Sequence, residues 1–164
     1  MEFNLRPLRS EDYKDIARHA NNKKIADNLT DSFPYPYTEN DAKEFLKISI
    51  NNPEHKAITV NDGLVGIISI NRHKAEQKHI AGLGYWLSEE YWGKGIMSKA
   101  VKQYVSSYLE ENPDILRLEA KVYKHNPVSG KVLEKNGFEL EGLRKKGTYT
   151  RGRYLDEYVY ALIR

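Results

Sequence analysis

Residues 84–96 read Gly84-Tyr85-Trp86-Leu87-Ser88-Glu89-Glu90-Tyr91-Trp92-Gly93-Lys94-Gly95-Ile96. This pattern predicts a strand that ends near Leu87, a short turn, and a helix that begins at Gly93. The first amides of a helix lack intrahelical acceptors and lie at the positive end of the helix dipole, so they bind phosphate. Glycine lets an anion approach the backbone closely. The stretch therefore predicts an anion-binding turn, although GxG alone also fits an ordinary tight turn.

Length and composition predict a single globular domain over residues 1–164. The apolar share is 40%, and 26 Lys and Arg face 23 Asp and Glu, a net charge of +3 that we interpret as spread along the chain. This distribution argues against a nucleic-acid partner. The absence of cysteine excludes disulfides, thiolate metal sites and a cysteine nucleophile. With no signal-like leader and no membrane-length apolar run, the chain is expected to be cytoplasmic, with no membrane partner.

Hydrophobic periodicity and turn signals predict strands and helices in mixed order. Strands are expected over residues 3–7, 57–60, 64–70, 78–87, 116–122, 138–145 and 154–163. Helices are expected over residues 11–21, 21–29, 38–51, 93–109 and 126–136, with caps at Ser10, at Thr38 or Asn40, and at Asn126 or Ser129. Turns are expected at Asn61-Asp62-Gly63 and from Gly147 to Gly152. The order predicts an α/β (α+β) fold with one mixed, mostly antiparallel central sheet flanked by helices.

A second pattern follows, reading Lys124-His125-Asn126-Pro127-Val128-Ser129-Gly130-Lys131-Val132-Leu133-Glu134-Lys135-Asn136-Gly137-Phe138 and then Glu141-Gly142. Together with GYWL and the WGKG turn, it resembles the GNAT superfamily of N-acetyltransferases, specifically the RimJ/RimL-like branch. The match runs from about Ile80 to Leu143. Two earlier segments, Asp27-Asn28-Leu29 and Phe33-Pro34-Tyr35-Pro36-Tyr37, resemble the same branch. Order and spacing make the combined pattern far more specific than either part.

The resemblance implies that the donor is acetyl-coenzyme A. It implies that Tyr85, Trp86 and Leu87 line the pantetheine arm of the bound donor. The backbone N–H of Leu87 would stabilise the oxyanion that forms from the thioester carbonyl. It implies a pyrophosphate bound by the turn, mainly through backbone amides; the predicted residues are Trp92, Gly93, Lys94, Gly95, Ile96 and Met97. The family usually has Gln or Arg where this chain has Glu90, so we expect that carboxylate to point away from the phosphates.

The resemblance also assigns roles to Asn126 and Ser129. Asn126 matches an asparagine that hydrogen-bonds the pantetheine arm. Ser129 matches a serine suited to protonating the departing thiolate of coenzyme A, so it is the candidate general acid. Both residue types are also good helix caps, and simple capping is the alternative interpretation.

The general base stays unassigned. Many relatives carry a glutamate two positions before the GYWL glycine, where this chain has Gly82. An acceptor amine must lose a proton before it attacks a thioester. Substitutes by residue type are His73, Glu119, Tyr123 and His125, or a water relay.

Aromatic residues mark the candidate acceptor site. Phe33, Tyr35 and Tyr37 are predicted to form one side of the acceptor pocket. The alternative is that their loop folds onto the core and has no role in binding. The last hairpin, with Tyr149, Arg151, Arg153 and Tyr154, is a candidate for the opposite wall.

The main functional hypothesis is an N-acetyltransferase that moves acetyl from acetyl-coenzyme A to a primary amine in a ternary complex. The acceptor is a protein N-terminus, a polyamine or a small-molecule amine. One alternative is a non-catalytic sensor that binds coenzyme A, and another is an RNA- or ribosome-binding protein, suggested only by a pI near 8.9. No metal is expected, because His19, His55 and His79 lack ligand spacing. The chain is expected to be a monomer or a homodimer.

Overall fold

The computed structural model describes residues 1–164, with helices and strands in mixed order. The helices are α1 (Tyr13–Ala20), α2 (Lys23–Ala26), α3 (Glu39–Ser49), α4 (Ile96–Glu111) and α5 (Pro127–Lys135). The strands are β1 (Asn4–Pro7), β2 (His55–Val60), β3 (Gly63–Arg72), β4 (Ile80–Leu87), β5 (Arg117–Tyr123), β6 (Glu139–Thr150) and β7 (Arg153–Ile163). Backbone hydrogen bonds join the strands in the order β1-β2-β3-β4-β5-β7-β6. The predicted α/β architecture is confirmed.

The chain's internal contacts form two compact units. The first, called here the N-terminal unit, comprises residues 1–69 and 85–96, and the second, the C-terminal unit, comprises residues 70–84 and 97–164. The expectation of a single domain stays a prediction. No helix is both long and apolar enough to span a membrane.

The N-terminal unit packs helices against an antiparallel sheet. β1 pairs with β2, and β2 pairs with β3 through the predicted hairpin, where Asn61 and Asp62 have φ of 50° and 67°. These residue types tolerate such values better than most. The core cluster includes Ile16, Ala20, Tyr37, Ala42, Leu46, Ala57 and Leu64.

In the C-terminal unit β4 and β5 run parallel, with Gly82 opposite Glu119. β7 pairs antiparallel with both β5 and β6. The side chains buried in this unit include Val101, Leu118, Leu133 and Tyr160. The parallel pair makes the sheet mixed, and the other pairings keep it mostly antiparallel, as predicted.

Three local predictions were wrong. The fourth helix begins at Ile96 and not at Gly93, because Gly93 and Gly95 have φ of 71° and 75°, which an α-helix cannot accommodate. The last turn is Arg151-Gly152, since β6 continues to Thr150 after a register shift between Arg144 and Thr148.

The first cap was also assigned to the wrong residue. Ser10 lies in a short 3-10 turn, and the side chain that closes this turn belongs to Asp12, which accepts from the Arg9 N–H at 2.7 Å. Asp12 is buried and pairs with Arg6 at 2.7 Å. By contrast, Thr38 caps α3 as predicted, accepting from the Asp41 N–H at 3.1 Å.

Candidate active site

The predicted anion-binding turn has an open face. A Cβ built on Gly93 or on Gly95 would have no atom within 4 Å. The two glycines are therefore required by their positive φ and not by crowding. Ile96 and Met97 are buried, and as the first two residues of α4 they have backbone amides that lack intrahelical acceptors. Successive amides around left-handed residues form a concave anion site, which suits a pyrophosphate.

The two charged side chains of the turn are held by neighbours. Lys94 Nζ donates to the carbonyl of Glu90 at 2.7 Å and lies 5.2 Å from the centroid of the Tyr91 ring. Its ammonium therefore braces the turn in this conformation. The exposed Glu90 carboxylate lies 3.9 Å from the Arg18 guanidinium.

Trp92 ties the turn to the end of β4. Its indole N–H donates to the carbonyl of Leu87 at 2.7 Å, and its ring is 41% exposed. The sequence did not predict this hydrogen bond.

We expect Trp92→Phe to weaken acetyl-coenzyme A binding about fivefold, because the ring is kept while a hydrogen bond worth about 1 kcal/mol is lost. Calorimetric titration measures this change. Unchanged affinity in a variant of unchanged melting temperature would show that the bond does not position the turn.

The end of β4 is packed directly against β3. A Cβ on Gly66 would stand 2.5 Å from the carbonyl oxygen of Trp86 and 3.1 Å from the Cα of Leu87. The Ser88 N–H donates to the carbonyl of Val65 at 2.8 Å. The backbone predicted to line the pantetheine arm is thus fixed by a glycine that sequence reasoning did not single out.

The aromatic loop divides into buried and exposed parts. Phe33 lies 5.9 Å from the Trp86 ring and 5.0 Å from the Tyr37 ring, measured between centroids. Tyr37 belongs to the core, and its burial raises the pKa of its hydroxyl to about 12. Tyr35 is 47% exposed. The packing of Phe33 and Tyr37 fits the alternative of a loop folded onto the core, and the acceptor role of the three residues stays a prediction.

Side chains from α1, from α2 and from the N-cap of α2 hold the 3-10 turn at Glu89–Tyr91, which precedes the glycines. Glu89 accepts from Asn22 at 2.7 Å and from Lys24 at 2.5 Å, and these bonds, that of Lys24 foremost, lower its pKa. His19 Nδ1 and Ser88 Oγ share a buried hydrogen bond of 2.9 Å. Burial, aided by the charge of Arg18, lowers the pKa of His19.

His19 should make stability depend on pH. Its folded pKa lies below the unfolded value, so its contribution is complete above about pH 6.5 and is lost as the pH falls further. We expect the melting temperature of the wild type to fall more between about pH 7 and pH 5 than that of His19→Gln. Parallel curves for the two proteins would contradict this role.

Asn126 and Ser129 lie at the start of α5. Asn126 occupies the N-cap position, yet its side chain makes no capping hydrogen bond. Ser129 is inside the first turn and half-buried. A Cβ on Gly130 would stand 2.6 Å from the Tyr160 hydroxyl, so close packing beneath the helix fixes its position. A capping hydrogen bond therefore does not explain the asparagine at position 126. The roles of Asn126 and Ser129 at the coenzyme A site stay predictions.

A family model described as "Acetyltransferase (GNAT) domain" matches residues 2–139. The chain belongs to the GNAT acetyltransferase family.

Curated relatives agree with the predicted RimJ/RimL-like branch. The ribosomal-protein-serine acetyltransferase of Escherichia coli (strain K12) is 37% identical over 102 residues, which cover 62% of this GNAT chain and 56% of that protein. The [ribosomal protein uS5]-alanine N-acetyltransferase of the same strain is 29% identical over 99 residues, covering 60% and 50%. The chain thus matches about half the length of these relatives. The branch assignment is confirmed.

Solved structures share the fold over nearly the full chain. The RimL ribosomal L7/L12 alpha-N-protein acetyltransferase in complex with coenzyme A has a TM-score of 0.85 at 25% identity, with 98% of this chain and 93% of that one covered. An acetyltransferase of the GNAT family from Bacillus anthracis has a TM-score of 0.85 at 22% identity, with 99% and 95% covered. At 22% identity, the likeness to the Bacillus anthracis protein shows a shared fold only.

Two of the four base candidates of this GNAT chain lie together. His73 Nε2 is 3.9 Å from Glu119 Oε1, and a Cβ on Gly82 would stand 3.7 Å from that nitrogen. Glu119 also accepts from Arg117 at 3.0 Å, while His73 Nδ1 is buried without a hydrogen-bond partner. These side chains lie beside Gly82, the strand position at which the resemblance leads us to expect a glutamate.

The other two candidates lie after β5, with the Tyr123 and His125 ring centroids 5.6 Å apart. No group of three or more His, Asp or Glu side chains is arranged to hold a metal. The base, like the expectation of no metal, stays a prediction.

Proposed function

We propose that this chain transfers the acetyl group of acetyl-coenzyme A to a primary amine. The observation that carries the proposal is the open, left-handed glycine turn before α4 in a GNAT domain, since its amides suit a pyrophosphate. RimL in complex with coenzyme A supplies a parallel for the donor. We also propose a cytoplasmic location, as for an enzyme that draws on the metabolic pool of acetyl-coenzyme A.

The chemistry is direct transfer. The neutral amine attacks the thioester carbonyl carbon, the carbon–sulfur bond breaks, and the amine proton passes to a base or to water. The Leu87 N–H stabilises the oxyanion. Because the backbone of Trp86 and Leu87 packs against Gly66, this N–H group is already in position and the protein does not rearrange during the reaction. The Asn126 amide, which is not used for capping, binds the pantetheine arm. Ser129 protonates the coenzyme A thiolate.

Ser129→Ala should lower kcat about a hundredfold while the affinity for acetyl-coenzyme A stays within about twofold, because a general acid acts on the transition state. Ser129→Cys keeps a proton donor and should recover part of the turnover. Stopped-flow thiol release and calorimetry measure the two quantities. Turnover unaffected by the alanine change would remove Ser129 from the mechanism.

A non-catalytic sensor is the alternative, and the glycine at position 82 is what favours it. The two functions differ in one result. A sensor binds acetyl-coenzyme A and releases no thiol with any amine, whereas the transferase releases thiol in proportion to acetylated product.

A further inference from the structure

An exposed aromatic pair sits at the tip of the β6–β7 hairpin. Tyr149 and Tyr154 face each other across the two strands, with ring centroids 4.9 Å apart. Their exposed fractions are 62% and 66%. Tyrosines displayed in this way supply large contact area at low cost in conformational entropy, and they are enriched at binding sites.

The same tip is rich in positively charged residues. Residues 145–156 contain Lys145, Lys146, Arg151 and Arg153 against the single carboxylate of Asp156, an excess as large as the +3 of the whole chain. Lys145, Lys146 and Arg153 are exposed. We call the exposed set Lys145, Lys146, Tyr149, Arg153 and Tyr154 the basic tip.

The Asp156 carboxylate accepts from the backbone N–H of Lys146 at 2.8 Å, and the tip remains net positive after its charge is counted. Arg144, just before the tip, is neutralised by the buried Glu157 at 2.5 Å. The basic tip thus presents cations and aromatic rings together, which is a surface for an acidic partner.

The basic tip continues into a concavity of about 340 Å³. Its lining residues are Lys124, His125, Tyr154, Leu155 and Asp156, so Tyr154 belongs to both surfaces. The Lys124 N–H donates to the Asp156 carbonyl at 2.9 Å, which joins the strand to the loop. Lys124 and His125 directly precede Asn126. A chain lying over the tip would therefore enter a concavity whose lining residue His125 directly precedes Asn126 in the sequence.

We propose that the acceptor is the amino terminus of a protein or peptide whose following residues are acidic, and that the basic tip binds those residues. This inference rests on the proposed function and names its substrate class. An RNA would also suit exposed tyrosines and cations. The continuity with the concavity beside Asn126 favours the peptide, because a peptide brings an α-amine to be acetylated.

The test compares two synthetic peptides of about twelve residues that share their first residues and then carry either glutamates or the same number of glutamines. We expect kcat/KM about tenfold higher for the acidic peptide, mainly through KM, because several screened ion pairs act together. The preference should shrink at high salt, as the Debye length falls from about 10 Å at 0.1 M to about 3 Å at 1 M.

The double variant Lys145→Gln/Lys146→Gln should lose most of this preference, and Tyr149→Ser should raise KM for both peptides. The matched control Lys43→Gln/Lys47→Gln removes two exposed lysines from α3 and should keep the preference. Equal kcat/KM for the two peptides, or a preference that survives in the tip variant, overturns the inference and leaves the transferase function intact.

Two further outcomes are distinguishable. If no amine is acetylated, the proposed function fails, and fluorescence anisotropy of the two labelled peptides still tests the tip: tighter binding of the acidic one, lost in the tip variant, supports it. If a labelled RNA oligonucleotide binds through the tip lysines, and the acidic and glutamine peptides bind equally, the tip is an RNA-binding surface and the inference is wrong.

Discussion

Gly66→Ala should destabilise the protein by about 3 kcal/mol and remove most acetyl-coenzyme A binding. The added Cβ would stand 2.5 Å from a backbone oxygen of Trp86, and neither atom belongs to a flexible side chain that can move aside. Strands β3 and β4 must separate at this point, which is a severe form of overpacking. The displaced residues, Trp86 and Leu87, are those proposed to bind the pantetheine arm and the oxyanion.

The matched control is Gly142→Ala. Gly142 is also a strand glycine, but no atom lies within 4 Å of its Cβ position. Chemical denaturation and calorimetry should show little change for this variant. Equal stability and donor affinity for Gly66→Ala and Gly142→Ala would show that the close approach of β3 to β4 is not required.

Gly93→Asp should weaken acetyl-coenzyme A binding about thirtyfold. The Cβ position is open, so the substitution does not disturb packing, but it places a carboxylate on the proposed pyrophosphate site. A like charge about 4 Å away costs up to about 4 kcal/mol at an effective dielectric constant of 20, and solvent screening reduces this to about 2 kcal/mol.

Gly93→Asn is the control for shape. Asparagine and aspartate both tolerate the φ of 71° better than other side chains, and they differ mainly in charge. The asparagine variant should lose only a few-fold in affinity. If the two variants bind acetyl-coenzyme A equally, the anion is not bound at this turn.

Sequence patterns predicted those parts of the fold that depend on local chemistry. Asn61 and Asp62 predicted the β2–β3 hairpin, and Thr38 predicted the start of α3, because turns and caps are set by neighbouring residues. Gly93 and Gly95 were identified correctly as a special turn but placed inside the helix. The spacing of hydrophobic residues does not reveal the positive φ of these two glycines, and because of that φ the helix begins only at Ile96.

Contacts between distant segments were not predictable. Nothing in the sequence near Gly66 indicates that its neighbour is the Trp86 carbonyl, and nothing near His19 indicates Ser88. Such pairs are defined only once the strands and helices have packed. The length of β6 was missed for a related reason: Gly147 was read as part of a turn, whereas pairing with β7 resumes at Thr148.

The proposed transferase activity is tested most directly by thiol release from acetyl-coenzyme A with a panel of amines, combined with mass spectrometry of the amine products. We expect thiol release that requires an amine, matches the amount of singly acetylated product, and falls in parallel with the affinity for acetyl-coenzyme A in Gly93→Asp. Tight binding of acetyl-coenzyme A without thiol release for any peptide, polyamine or small amine would contradict it and favour the sensor.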